Sequence, residues 1–190
     1  MASSFHVRIP MERVGALIGP DGSVKREIER SLGVELSIDS RTGDVEIKLQ
    51  EGNPDPSALL RARDAVLAIG RGFSPERAFR LLREEDAMLR IIDLREIFGR
   101  SKSDIVRVKG RIIGREGRTR RIIEELTGAF VSVYGHTVAI IGDMEQAQVA
   151  EEAIQMLIEG RMHSTVYRFL HRKKREMKRR RALELWEKPF

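Results

Sequence analysis

The chain has 190 residues, 34% of them charged, a formal net charge of +6 and no cysteine. That length can hold two small domains with cores of their own, and the absent thiols exclude disulfides, thiolate nucleophiles and cysteine zinc sites. No run of about eighteen apolar residues and no charged-then-apolar leader occurs, so neither a membrane span nor a signal peptide is expected and the protein reads as cytoplasmic.

Phe5 to Ile9 alternates like a strand and stops at Pro10. Met11 to Ile18 gives a short helix and a glycine turn follows. A second helix then runs from Gly22 or Ser23 to about Leu32, with Gly33 in a C-cap position. Val34 to Ile38 is the next strand, residues 40–44 form a hairpin connection, and Val45, Ile47 and Leu49 alternate beyond it. After a break at 52–56, Leu59, Leu60, Ala62, Val66, Leu67 and Ile69 recur at helical spacing, so residues 1–72 read β-α-α-β-β-α.

Residues 73–102 read as a connector. Ser74-Pro75-Glu76 is a helix start, Ala78, Phe79, Leu81 and Leu82 supply a buried stripe, and Glu84-Glu85-Asp86 interrupts it. Residues 88–98 are apolar but ambiguous between strand and helix. Residues 103–160 repeat the first unit, with a strand over 104–108, a short helix, a glycine turn, a helix over 118–127 and strands over 129–134 and 137–141. A last helix, capped by Asp143, completes the unit. Residues 161–190 are helical in propensity and basic, with too few apolar residues in their middle to dock along the whole length.

The repeat is detailed. Sliding the chain by 95 residues lays Gly15 on Gly110, Ile18 on Ile113, Gly19 on Gly114 and Gly22 on Gly117, and the match continues through Ile28 and Ile123, Glu29 and Glu124, and Gly33 and Gly128. A lone G-x-x-G is a weak signal; two copies with the same flanking periodicity are a strong one. Glycines three apart, pinned between apolar residues and opening a helix, let the backbone turn sharply and present amide N–H groups at a positive helix end, where a phosphate fits.

The charge is unevenly placed. From residue 161 onward eleven lysines and arginines face three glutamates, so that segment carries +8 and the rest of the chain −2. Only the C-terminal end therefore invites a long-range electrostatic account of polyanion binding, through Arg172, Lys173, Lys174, Arg175, Lys178, Arg179, Arg180 and Arg181. Trp186 and Phe190 beyond it are candidate anchors on the fold or on another protein.

Val14-Gly15-Ala16-Leu17-Ile18-Gly19-Pro20-Asp21-Gly22 and Lys109-Gly110-Arg111-Ile112-Ile113-Gly114-Arg115-Glu116-Gly117, with their matching helices and strands, resemble two type I KH domains, an α+β fold. With the helical connector and a basic extension ending RALELWEKPF, the whole chain is similar to the archaeal Dim-type small-subunit assembly factors, counterparts of the eukaryotic partner of Nob. The resemblance implies binding of single-stranded small-subunit ribosomal RNA near its 3′ end, with contact to the alpha subunit of a translation initiation factor and a maturation endonuclease, and no cofactor.

In KH domains the G-x-x-G loop clamps the backbone of about four nucleotides against a groove walled by the middle strand and hairpin. The resemblance places the first groove at Ile18, Gly19, Pro20, Asp21, Gly22, Leu36 and Ile38, with Lys25 and Arg26 behind it. It places the second at Ile113, Gly114, Arg115, Glu116, Gly117, Val131 and Val133. Each loop departs from an ideal phosphate cradle by holding an acid. The second compensates with Arg111, Arg115, Arg118, Arg120 and Arg121, so it is expected to bind RNA more strongly. Tyr134 and His136 on the hairpin are candidates for stacking on a base.

Enzymatic readings fare poorly. His6, His136, His163 and His171 lack metal-ligand spacing, no G-K-[ST] follows either turn, and no catalytic triad or carboxylate pair is suggested. The alternative is a protein-binding adaptor with vestigial grooves.

Overall fold

The computed structural model describes residues 4–187. The chain divides into two compact units, Met1–Leu89 and Arg90–Phe190. In the first, β1 (Ser4–Arg8), α1 (Met11–Ile18), α2 (Ser23–Leu32), β2 (Val34–Ile38), β3 (Asp44–Leu49) and α3 (Ser57–Gly70) follow the expected order. The sheet is antiparallel with order β1-β3-β2, and pairing Phe5 with Ile47 and Leu36 with Ile47 fixes the register. Alternation puts Val34, Leu36, Val45 and Ile47 on the buried face, against Leu17, Ile28 and Ile69 from the helices.

The first part of the connector belongs to this unit. Two short helices, α4 (Pro75–Ala78) and α5 (Arg80–Arg83), pack on α3, burying Phe73, Ala78, Leu81 and Leu82.

The second unit departs from the expected pattern at its start. Its sheet has the order β4-β6-β5, formed by β4 (Met88–Asp93), β5 (Phe130–Tyr134) and β6 (Thr137–Gly142). After β4 come α6 (Leu94–Phe98) and α7 (Lys102–Ile113), so the strand expected over 104–108 is helical. The short β-branched run there is a fragment of a longer helical stripe. Ile105, Val108 and Ile112, three and four residues apart, are buried, whereas Val106 is 68% exposed. The apolar run at 88–98, ambiguous by sequence, is a strand followed by a one-turn helix that Asp93 caps by accepting from the Arg95 amide at 2.8 Å.

The remainder follows expectation: α8 (Arg118–Thr127), β5, β6 and α9 (Met144–Ile158), the last opened by a capping box between Asp143 and Gln146. All six residues of β6, the central strand, are buried. The basic extension is one helix, α10 (His163–Glu187), lying on α8 and α9. Val166, Leu170 and Met177 are its buried side chains, each burial worth roughly 1.5–3 kcal/mol. Beyond them Leu183, Leu185 and Trp186 are exposed, Trp186 at 88%, so it does not anchor back on the fold; Phe190 lies outside the described residues. Among the described residues no helix is long and apolar enough to cross a membrane.

Candidate nucleic-acid interface

Each unit carries one turn built the same way. Gly19 and Gly114 end the first helix of the repeat at φ 73°, ψ 175° and φ 73°, ψ 174°, a region open only to glycine. A Cβ on Gly19 would meet Val24 Cγ2 at 2.4 Å, and one on Gly114 would meet Thr119 Oγ1 at 2.3 Å. These first glycines are required by packing whether or not a ligand comes. One-turn 3-10 segments follow, Pro20–Gly22 and Arg115–Gly117, in which Asp21 and Glu116 both sit at φ 53°.

The second glycines are different. Gly117 has φ 74° and ψ 14°, and a Cβ there would meet nothing closer than the Arg120 guanidinium at 4.0 Å. No side chain caps α8 at Gly117 or α2 at Gly22, so neither helix start has a side-chain acceptor. An oxyanion can approach these ends.

The expected side chains divide into three groups. Arg115 and Arg118 are exposed and have no hydrogen-bond or ion-pair partner among the described residues. Arg111, Arg120 and Arg121 are committed to the fold. Arg111 donates to the carbonyls of Leu157, at 3.2 Å, and of Arg161; Arg120 lies 3.5 Å from the Val131 carbonyl; and Arg121 donates to the Glu116 carbonyl at 3.0 Å, bracing the turn. Arg13 does in the first unit what Arg111 does in the second, donating to the Ile69 carbonyl in the last turn of α3 and to the Phe73 carbonyl just beyond it. Among the apolar residues, Leu36 and Val131 are buried core, leaving Ile18 and Ile38 in one groove and Ile113 and Val133 in the other as half-buried walls.

Sequence reasoning passed over one device. Glu29 Oε1 accepts from the Leu36 amide at 2.9 Å, and Glu124 Oε1 from the Val131 amide at 2.7 Å, tying the helix behind each turn to the groove strand. The recurrence of glutamate across the 95-residue repeat was the available signal. Lys25 sits 3.8 Å from Glu29 and thereby beside this tie. At the hairpin of the second unit, Lys109 Nζ donates to the Gly135 carbonyl at 2.7 Å, closing α7 against the strand end, and His136 Nε2 lies 3.5 Å from Asp93.

On α10, Arg180 pairs with Glu145 at 3.1 Å, Arg181 with Asp143 at 3.2 Å, and Arg172 and Lys173 with Glu176 at 3.8 and 3.7 Å. Lys174 Nζ approaches the Glu125 carbonyl at 3.5 Å. Arg175, Lys178 and Arg179 are exposed and have no such partner among the described residues. No cluster of three metal-ligating side chains occurs among the described residues.

A three-stranded antiparallel sheet of order 1-3-2, backed by helices and bearing a G-x-x-G turn between two of them, defines a KH domain; the chain holds a pair of them. Residues 4–68 match the family described as KH domain, and residues 88–175 the one described as Eukaryotic type KH-domain (KH-domain type I). A KH domain-containing protein of Methanocaldococcus jannaschii is 50% identical over 96% of this chain and 78% of its own. The pre-rRNA-processing protein PNO1 of Phaeosphaeria nodorum is 28% identical, with 85% of this chain aligned to 62% of that one. A crystal structure described as an a/eIF2alpha-aDim2p-rRNA complex from Pyrococcus horikoshii OT3 aligns with TM-score 0.86 and 51% identity, over 92% of this chain and 96% of that one. The chain belongs to the Dim2p and PNO1 family of tandem KH-domain proteins.

Proposed function

We propose that the chain binds single-stranded small-subunit ribosomal RNA near its 3′ end during ribosome assembly, with the second KH domain holding the strand more firmly. The observation that carries this is the second turn. An open helix start at Gly117 stands beside the exposed Arg115 and Arg118 and the half-buried walls Ile113 and Val133, a geometry for an extended backbone with splayed bases. The family relation supports the RNA's identity, since relatives are named for pre-rRNA processing and one is described in complex with rRNA. That same complex supports a translation initiation factor alpha subunit as partner; a maturation endonuclease is a further proposed partner. The protein acts by holding RNA, not by catalysis.

The exposed Leu183, Leu185 and Trp186 at the far end of α10 favour a protein contact there, beside RNA binding rather than instead of it. The grooves are tested by titrating a labelled ribosomal 3′-end strand, free or annealed to its complement. The titration uses protein with Arg175, Lys178 and Arg179 changed to Gln at moderate salt, so that charge on α10 does not mask the grooves. Far tighter binding of the free strand is expected. Equal affinity for both forms would leave the adaptor reading as the better one.

A further inference from the structure

Behind the second turn, on the side of α7 away from the hairpin, lies a cleft of about 510 Å³ lined by Arg107, Arg111, Arg115, Arg118, His163 and Tyr167 among others. At 3.6 residues per turn, Arg107 and Arg111 project from the opposite side of α7 to Lys109, which reaches the hairpin, so the cleft extends away from the groove while sharing Gly114, Arg115 and Arg118 of the turn with it. Among the described residues no carboxylate lines it. At its edge Asp104 accepts from Arg107 at 3.1 Å, and the Ser101 hydroxyl and the Arg107 guanidinium hold its carboxyl below the ordinary carboxylate range.

The far wall comes from the first turns of α10. Tyr167 OH and Thr119 Oγ1 are 2.9 Å apart, His163 Nε2 lies 3.0 Å from the Arg111 carbonyl, and the two rings stand 6.1 Å apart at 59°. Four guanidinium groups and two fixed aromatic rings around one space are the chemistry of a nucleotide site.

The first unit shows that the turn does not require these arginines. The positions 95 residues earlier are Glu12, Ala16, Pro20 and Ser23, yet the glycine dihedrals agree within a few degrees. Nothing equivalent to α10 follows α3, whose successors are the short α4 and α5. The arginines and the aromatic wall occur together in the one unit and are absent together from the other.

We infer that this rear cleft takes nucleotides of the same RNA strand that flank those held in the groove. The strand rounds the Arg115–Gly117 turn, sets a phosphate between Arg115 and Arg118, and lays a base against Tyr167 or His163. The inference rests on the groove reading above, and the test separates the two. Full-length protein is titrated with a tetranucleotide from the ribosomal 3′ end and with versions extended by three nucleotides at either end. One extension should tighten binding on the order of tenfold. Arg107→Gln, at an exposed residue outside the groove, should leave tetranucleotide affinity unchanged and remove much of that gain. Ultraviolet crosslinking of the extended strand, but not the tetranucleotide, should label the segment containing His163 and Tyr167.

Failure of the tetranucleotide to bind at all would defeat the groove reading. Tetranucleotide binding with an extension gain that Arg107→Gln does not reduce would overturn the cleft. Protection of residues 163–167 from hydrogen exchange by a polyglutamate peptide, and not by the extended strand, would also overturn it, because the cleft would then serve an acidic protein segment.

Discussion

The two turns share a backbone and differ in almost everything attached to it. Gly19 and Gly114 differ by one degree in ψ, Asp21 and Glu116 share φ 53°, and Glu29 and Glu124 make the same bond to the groove strand. Around the first turn stand Pro20 and Ser23; around the second, Arg115 and Arg118. The corner is thus a requirement of the fold, satisfied twice, whereas the exposed side chains beside it, proposed above to set the affinity for RNA, differ between the two units.

The largest effect should fall on what is shared. Gly19→Ala or Gly114→Ala forces a Cβ within 2.4 or 2.3 Å of a neighbour at a glycine-only conformation. Each should cost roughly 2–5 kcal/mol of stability in denaturant unfolding. Destabilisation by only one of the two substitutions would break the equivalence of the corners.

Next comes what differs. Gly117→Asp sets a carboxylate at the open helix start and should weaken RNA binding roughly 10–100-fold, the cost of losing charge-assisted hydrogen bonds to a phosphate. Thermal melting should stay near wild type, because space is available and aspartate tolerates the left-handed region better than most residues. Gly22→Asp should weaken binding several-fold less; an equal or larger effect there in filter binding would reverse the ranking of the two domains.

Changing Arg175, Lys178 and Arg179 together to Gln should lower the slope of log affinity against log salt by about 0.7 for each phosphate no longer neutralised, while preference among sequences persists. Removing the whole extension after residue 160 would be a poor substitute, because it strips Val166 and Leu170 from the core of the second unit. The smallest effect is expected at the acids. Glu116→Gln and Asp21→Asn should each tighten binding only a few-fold, and less at high salt, since both carboxylates are exposed and screened.

Most of this architecture was legible because glycine, proline and apolar spacing speak directly about backbone. The helices at Met11–Ile18 and Arg118–Thr127, the strands around each hairpin and the cap at Asp143 follow from such local signals. The start of the second unit did not, because the β-branched Ile105, Val106 and Val108 suit a short strand, while Ile105 and Val108 also fit a 3.6-residue period. Only the burial of Ile112 one turn later decides between them. At the site, sequence marks which arginines cluster around Gly117 but not which are occupied. Arg111 spends its hydrogen bonds on carbonyls 46 and 50 residues away, pairings that depend on tertiary placement. The resemblance to KH domains places Leu36 and Val131 on the groove walls, yet both are buried in the core.

The place of β4 sets how this protein can be divided. A fragment beginning at residue 103 keeps the glycine turn and the basic helix but loses Met88–Asp93, the outer strand beside β6. One side of an apolar central strand would then offer its unpaired amides and carbonyls to any passing chain. Such a fragment should self-associate edge to edge, whereas one beginning a few residues before Met88 keeps the apolar β6 paired on both sides and should stay dispersed.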